Sequence, residues 1–143
     1  MAGAFQGIHL ELHSTIDELD HVQQVAEDVC RQVGLDEETR HWTSMAVREC
    51  VINAITHGNG SDPVKIVSVD FGVEERGAER NLVVTVRDQG HGFEPDALTN
   101  PLAPENILSA SGRGIFLVRQ FMDDVTFHRT RDGGTEVRML KHL

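Results

Sequence analysis

The chain has 143 residues, 39% hydrophobic and 25% charged, the balance of a globule long enough to bury a core rather than of a disordered tail. Lys and Arg number 13 against 23 Asp and Glu, a formal charge of −10, so no basic stripe is available to track phosphates and no direct nucleic-acid partner is expected. No apolar run approaches the roughly 20 residues of a membrane span, and the opening MAGAFQGIHLELH lacks the basic start and apolar stretch of a secretory signal. A cytoplasmic location without membrane attachment is expected.

Residues 6–13 alternate loosely and predict a first strand. Ile16, Leu19, Val22, Ala26, Val29, Cys30 and Val33 then recur with helical period, with Ser14 or Thr15 placed to cap the start and Gly34 to follow the end. A second helix is predicted from about Asp36 to His57, apolar at Trp42, Met45, Ala46, Cys50, Val51 and Ala54 and stopped by Gly58-Asn59-Gly60. Residues 64–71 (VKIVSVDF) and 82–87 (LVVTVR) read as strands paired across a charged turn region, GVEERGAERN. Between Asp88 and Gly114, Gly or Pro at 90, 92, 95, 101, 104 and 112 interrupts any period, and a long irregular segment is usually functional or mobile. A short helix at about 115–122, a strand at 125–130, the turn Asp132-Gly133-Gly134 and a strand at 135–140 complete the chain. Two long helices beside several strands predict an α/β (α+β) two-layer sandwich with a mixed sheet. Cys30 and Cys50 lie in apolar helical patterns and read as buried free thiols. The eight His show no metal-ligand spacing.

Three short patterns carry chemistry. In RECVINAITHGN, Glu49 and Asn53 are four residues apart and project from one helical face. If that face turns inward, a carboxylate and a carboxamide among Val51, Ile52, Ala54 and Ile55 need partners such as a metal and a reacting hydroxyl. A solvated helix face gives the same spacing. In VRDQGHGF, Asp88 ends a strand and can accept a hydrogen bond from an exocyclic amine, while Gly90 and Gly92 let backbone approach a flat ring. Common turns also contain D-x-G-x-G. In SGRGIFLVRQFMDDV, Gly112-Arg113-Gly114 leads into a helix, so free N–H groups and one cation offer an anion site. Glycine pairs also precede helices that bind nothing.

Taken in order, these patterns resemble the boxes of the GHKL, or Bergerat-fold, ATPases. Glu49 to Asn53 is similar to the N box, Asp88 to Phe93 to the G1 box, and Gly112 to Gly114 to the G2 box; Gly134-Thr135 resembles the family's last motif on the closing hairpin. Within that group the chain looks like the anti-sigma-factor serine kinases of bacterial partner switching, on the Glu one turn before the N-box Asn, His57-Gly58-Asn59 and the run GRGIFLVRQFMDDV. The upstream phosphorylated-His hairpin of sensor kinases is not expected.

The resemblance implies one domain over 1–143, bound ATP and Mg²⁺, and a mobile lid over roughly 94–113. It implies that Asn53 gives an oxygen to Mg²⁺, that Asp88 reads adenine N6, and that Glu49 is the base taking a serine proton. His57, Gly90, Gly92, Phe93, Gly112, Arg113, Gly114, Ile115 and Thr135 would complete the nucleotide pocket. It further implies an anti-anti-sigma (STAS-type) substrate, a sigma-factor partner and a homodimer. Two alternatives are a switch protein that regulates a phosphatase or sigma factor by contact alone, and a hydrolytic ATPase, which would need a transducer domain. The intact Glu49, Asn53 and Asp88 disfavour the first.

Overall fold

The computed structural model describes residues 5–90 and 110–143, with side chains from Phe116 onward in the second stretch. Strand β1 (Ile8–His13) is followed by a single 3₁₀ turn (Ile16–Glu18) and helix α1 (Leu19–Gln32). Helix α2 (Glu37–Asn53) runs on into a π turn, Ala54–Gly58. Then come β2 (Ile66–Arg76), β3 (Glu79–Arg87), α3 (Ala110–Phe121), β4 (Asp124–Arg129) and β5 (Thr135–His142).

Local chemistry sets the helix ends. The Asp36 carboxylate accepts the Thr39 N–H at 2.8 Å and caps α2, with Glu37 and Glu38 in the first turn, where the helix dipole favours them. After α1, Leu35 N–H donates to Cys30 O at 3.0 Å and Gly34 N–H to Arg31 O at 3.1 Å, a Schellman closure that needs the left-handed φ of +91° at Gly34. The expected cap at Ser14 or Thr15 is not made. The Ser14 hydroxyl donates to Lys65 O instead, and the 3₁₀ turn leaves Ile16 57% exposed.

The five strands lie in the order β1-β2-β3-β5-β4, and every neighbouring pair is antiparallel, so the sheet is not the mixed one expected. Two helices between β1 and β2 take the chain out and back, which reverses the second strand. The crossover from β3 through α3 to β4 skips one position, and β5 fills it from the opposite direction. The charged segment 72–81 is also strand rather than open turn. Arg76 pairs with Glu79 across Gly77-Ala78, with positive φ (+60°) at Gly77 alone, the pattern of a type II′ hairpin turn.

One sheet face presents Leu12, Val67, Val69, Phe71, Leu82, Val84, Val86, Val137 and Met139, all buried. Against it pack Val22, Ala26 and Val29 of α1, Val47, Cys50 and Val51 of α2, and Val118 of α3. The helices therefore form one layer and the sheet the other, with Cys30 and Cys50 as free thiols in the core. Trp42 does not enter it. It is 39% exposed and stacks on Phe121 at the far end of the helix layer, with ring centroids 4.5 Å apart. Among the described residues no helix is long and apolar enough to cross a membrane.

Candidate functional site

The last residue of α2 is Asn53, fully buried, and neither its Oδ1 nor its Nδ2 has a hydrogen-bond partner among the described residues. Native interiors rarely leave both ends of a carboxamide unsatisfied, since each orphan costs about 1–3 kcal/mol. Glu49 stands one turn earlier on the same face and is half-buried, and that burial pushes its carboxyl above the ordinary value. Beyond Asn53 the helix widens: Asn59 N–H reaches back five residues to Ala54 O at 2.8 Å. Such π turns shift the register of the residues after them and recur at functional sites. His57 lies in this turn, exposed, with partial desolvation holding its pKa below the usual value.

Asp88 comes just after the end of β3 and is 5% exposed. Its N–H donates to Thr135 O at 3.1 Å, and its Oδ1 accepts from Thr135 N–H at 3.2 Å and Gly90 N–H at 3.1 Å. Oδ2 is buried and has no partner among the described residues. Burial outweighs the two backbone donors and pushes the carboxyl up.

Two glycines wall this carboxylate, and a third packs against the first. A Cβ on Gly58 would stand 2.2 Å from Asp88 Oδ2, and one on Gly134 would stand 2.4 Å from Asp88 O and 2.9 Å from Oδ1. A Cβ on Gly90 would fall 1.5 Å from Gly58 O. The π turn of the α2 end and the β3 exit thus meet in bare backbone contact, so Asp88 and its partner, buried Thr135, pack against the turn that directly follows Asn53.

The other expected residues fall differently. Helix α3 begins at Ala110, not near Ile115, so Gly112-Arg113-Gly114 lies inside it rather than before it. The N–H groups of a helix's first three residues lack an intrahelical acceptor, which here includes Gly112 but not Arg113, the fourth residue. Gly114 is the fifth residue, and the helix itself supplies its acceptor at Ala110. The side chains of Arg113 and Ile115, together with Gly92, Phe93 and lid residues 94–109, lie outside the described residues. Sequence reasoning missed Gly58, which reads as a helix stop, and Asn59, whose buried side chain accepts Gln89 N–H at 2.7 Å. A Gly-Asn pair one turn after an inward Asn was the available signal.

Chemically, Asp88 Oδ2 can accept one N–H, and Asn53 Oδ1 is a neutral oxygen suited to a hard cation. Among the described residues no group of three or more His, Cys, Asp or Glu could cage a metal, so a cation at Asn53 would take most of its ligands from elsewhere.

The family model of the histidine kinase-like ATPase domain matches residues 12–141. The anti-sigma F factor of Heyndrickxia coagulans is 34% identical over 116 residues, covering 76% of this chain and 72% of that one. That of Anoxybacillus flavithermus is 36% identical over 113 residues, with the same coverage. The serine-protein kinase RsbW of Staphylococcus epidermidis is 24% identical over 143 residues, covering 95% and 86%. In fold, the chain is similar to the crystal structure of the RsbU and RsbW domains of a Mycobacterium tuberculosis protein, with a TM-score of 0.64 at 18% identity. That similarity covers 96% of this chain and about a third (32%) of the longer one. A helix layer on one face of a sheet, the orphaned Asn and Asp in their expected order, and a model matched over 12–141 agree: the chain belongs to the histidine kinase-like ATPase domain family.

Proposed function

We propose that the chain is an ATP-dependent protein serine kinase that also binds a sigma factor, acting as one domain over residues 1–143. The observation that carries this reading is the pair of buried side chains left without partners, Asn53, one helical turn from a half-buried Glu49, and Asp88, walled by Gly58. Relatives carrying the names anti-sigma F factor and serine-protein kinase support the same activity.

In this reading Asp88 Oδ2 accepts the adenine amino group, and Gly58, Gly90 and Gly134 keep the wall around it thin. Asn53 Oδ1 would hold Mg²⁺, a small hard ion that tolerates a site with a single protein oxygen. The ion, when bound, offsets charge on the phosphate oxygens. Amides at the start of α3, Gly112 among them, face the same phosphates, with Arg113, Ile115, Gly92, Phe93, His57 and Thr135 lining the pocket and 94–113 closing over it. Glu49 takes the proton from a serine hydroxyl docked in line with the γ-phosphate, and its burial raises its basicity for that task. The substrate is an anti-anti-sigma (STAS-type) domain, and the working unit is a cytoplasmic homodimer.

Thermal unfolding with Mg²⁺-ATP, against GTP as control, tests the nucleotide. A ligand at about 100 times its Kd adds roughly 2.7 kcal/mol of stability. Glu49→Gln is expected to keep that shift while phosphoryl transfer to the partner's serine falls by about 10²–10⁴. Unchanged transfer would remove Glu49 from the base role. No shift at millimolar ATP would overturn the kinase reading.

A further inference from the structure

Asn59 closes the π turn and is 2% exposed, and its side chain is bonded at both ends. Oδ1 accepts Gln89 N–H at 2.7 Å, and Nδ2 donates to Ser14 Oγ at 2.8 Å and to Ile66 O at 3.1 Å. The network continues outward: Ser14 Oγ donates to Lys65 O at 2.8 Å, and Gln89 Oε1 accepts Ile66 N–H at 2.7 Å. One amide therefore ties the end of β1, the start of β2 and the exit of β3 to the end of the α2 unit.

Only one of these bonds reaches the site. Gln89 lies between Asp88 and Gly90, and Gly90 N–H is one of the two donors that hold Asp88 Oδ1. While the Gln89 peptide is fixed, Gly90 stays on Oδ1 and the carboxylate cannot turn, so Oδ2 is the oxygen left open. Removing the Asn59 acceptor takes away the Gln89 N–H's side-chain partner, and the 88–90 backbone gains freedom to re-form its bonds another way.

We infer that Asn59 is a positioning residue for base recognition, fixing the Gln89 amide so that Asp88 offers Oδ2 alone to the exocyclic amine of the nucleotide. This rests on the nucleotide reading above. It assigns selectivity, not phosphate affinity, to a residue outside the base pocket.

The test compares Mg²⁺-ADP with Mg²⁺-inosine diphosphate, which carries a carbonyl where adenine has its amine, by calorimetry on the full chain. For Asn59→Ala the preference for ADP over the inosine nucleotide is expected to fall about tenfold, through weaker ADP binding, with inosine diphosphate affinity unchanged. Ser14→Ala removes a different bond of Asn59 and leaves the Gln89 contact; it is expected to lower Tm while keeping the preference. Asn59→Ser, small and polar, is read in the same way if the alanine variant does not fold. Loss of affinity for both nucleotides together, or an unchanged preference, would make Asn59 merely structural and overturn the inference. Failure of the unsubstituted chain to bind ADP would instead overturn the nucleotide reading itself, and this inference with it.

Discussion

Replacing Gly58 by alanine adds one methyl group at the point where the α2 end meets Asp88. Gly58 does not have a positive φ, so its backbone accepts alanine, and helix propensity alone would favour the change by about 0.5–1 kcal/mol. The new Cβ, however, would lie 2.2 Å from Asp88 Oδ2, 2.3 Å from Cγ and 2.8 Å from Cβ. The carboxylate cannot swing aside freely, because Thr135 N–H and Gly90 N–H hold its other oxygen. Relief comes by displacing the π turn, an overpacking cost of about 1–3 kcal/mol, or by breaking a charge-assisted hydrogen bond, about 1.5–3 kcal/mol. After the propensity gain, a net loss of about 1–2 kcal/mol remains, and ATP should bind more weakly because the oxygen proposed to meet adenine has moved. The midpoint of urea unfolding measures the first and calorimetry the second. Gly72→Ala is the control: its Cβ meets nothing within 4 Å and its φ is not positive, so stability should hold or rise slightly. A Gly58→Ala protein as stable as the parent, with the same ATP affinity, would refute the argument from close contact.

The two orphaned side chains can be tested separately. Asn53→Leu replaces a buried carboxamide without partners by an apolar group of similar size and is expected to stabilise the nucleotide-free chain by about 1–3 kcal/mol while abolishing Mg²⁺-ATP use; lower stability in urea would show that Asn53 has a partner after all. Asp88 is held above its ordinary pKa of 3.8 by burial, so the native state binds its proton more tightly than the unfolded chain; the stability this gives is complete below 3.8 and is lost as pH rises through the higher native value. Asp88→Asn, whose Oδ1 can still accept both backbone donors, should therefore match or exceed the parent near pH 7, and its advantage should vanish as pH falls toward 3.8, as pH-dependent urea titration would show. The same variant should lose adenine preference.

Much of this site was legible because its parts are periodic or sit at element ends. The four-residue spacing of Glu49 and Asn53 survives any shift of helix boundary, and Asp88 is marked by the end of an alternating run. The π turn left no such mark, since a turn of five residues has the composition of an ordinary helix end, and Gly58 therefore reads as a terminator when it is a wall. Residues 72–81 read as turn because they are charged, yet on the open face of the sheet charges pair across strands, Arg138 with Glu74 at 3.0 Å and Arg87 with Glu136 at 3.0 Å. The glycines at 112 and 114 suggested a boundary by propensity, about 1 kcal/mol each, and helix α3 overrides them by starting at Ala110. Antiparallel order throughout the sheet depends on which position a crossover skips, a fact no local pattern carries.

The unsatisfied groups also bear on how binding is divided between affinity and order. Asn53 and Asp88 Oδ2 are costs carried by the nucleotide-free protein, on the order of 1–3 kcal/mol for each orphaned group. A ligand that satisfies them recovers that energy in addition to its own contacts, so the site binds more tightly than its thin glycine walls would suggest. On the proposed reading Asp88 Oδ2 also discriminates: a base that placed a carbonyl against it would leave both oxygens unpaired in a buried space. Discrimination of this kind requires that the carboxylate be unable to turn and find another donor. The two backbone N–H groups on Oδ1, fixed from behind by Asn59 and from the front by the β5 strand at Thr135, meet that requirement, and they do so with main-chain atoms that a substitution elsewhere in the pocket cannot remove.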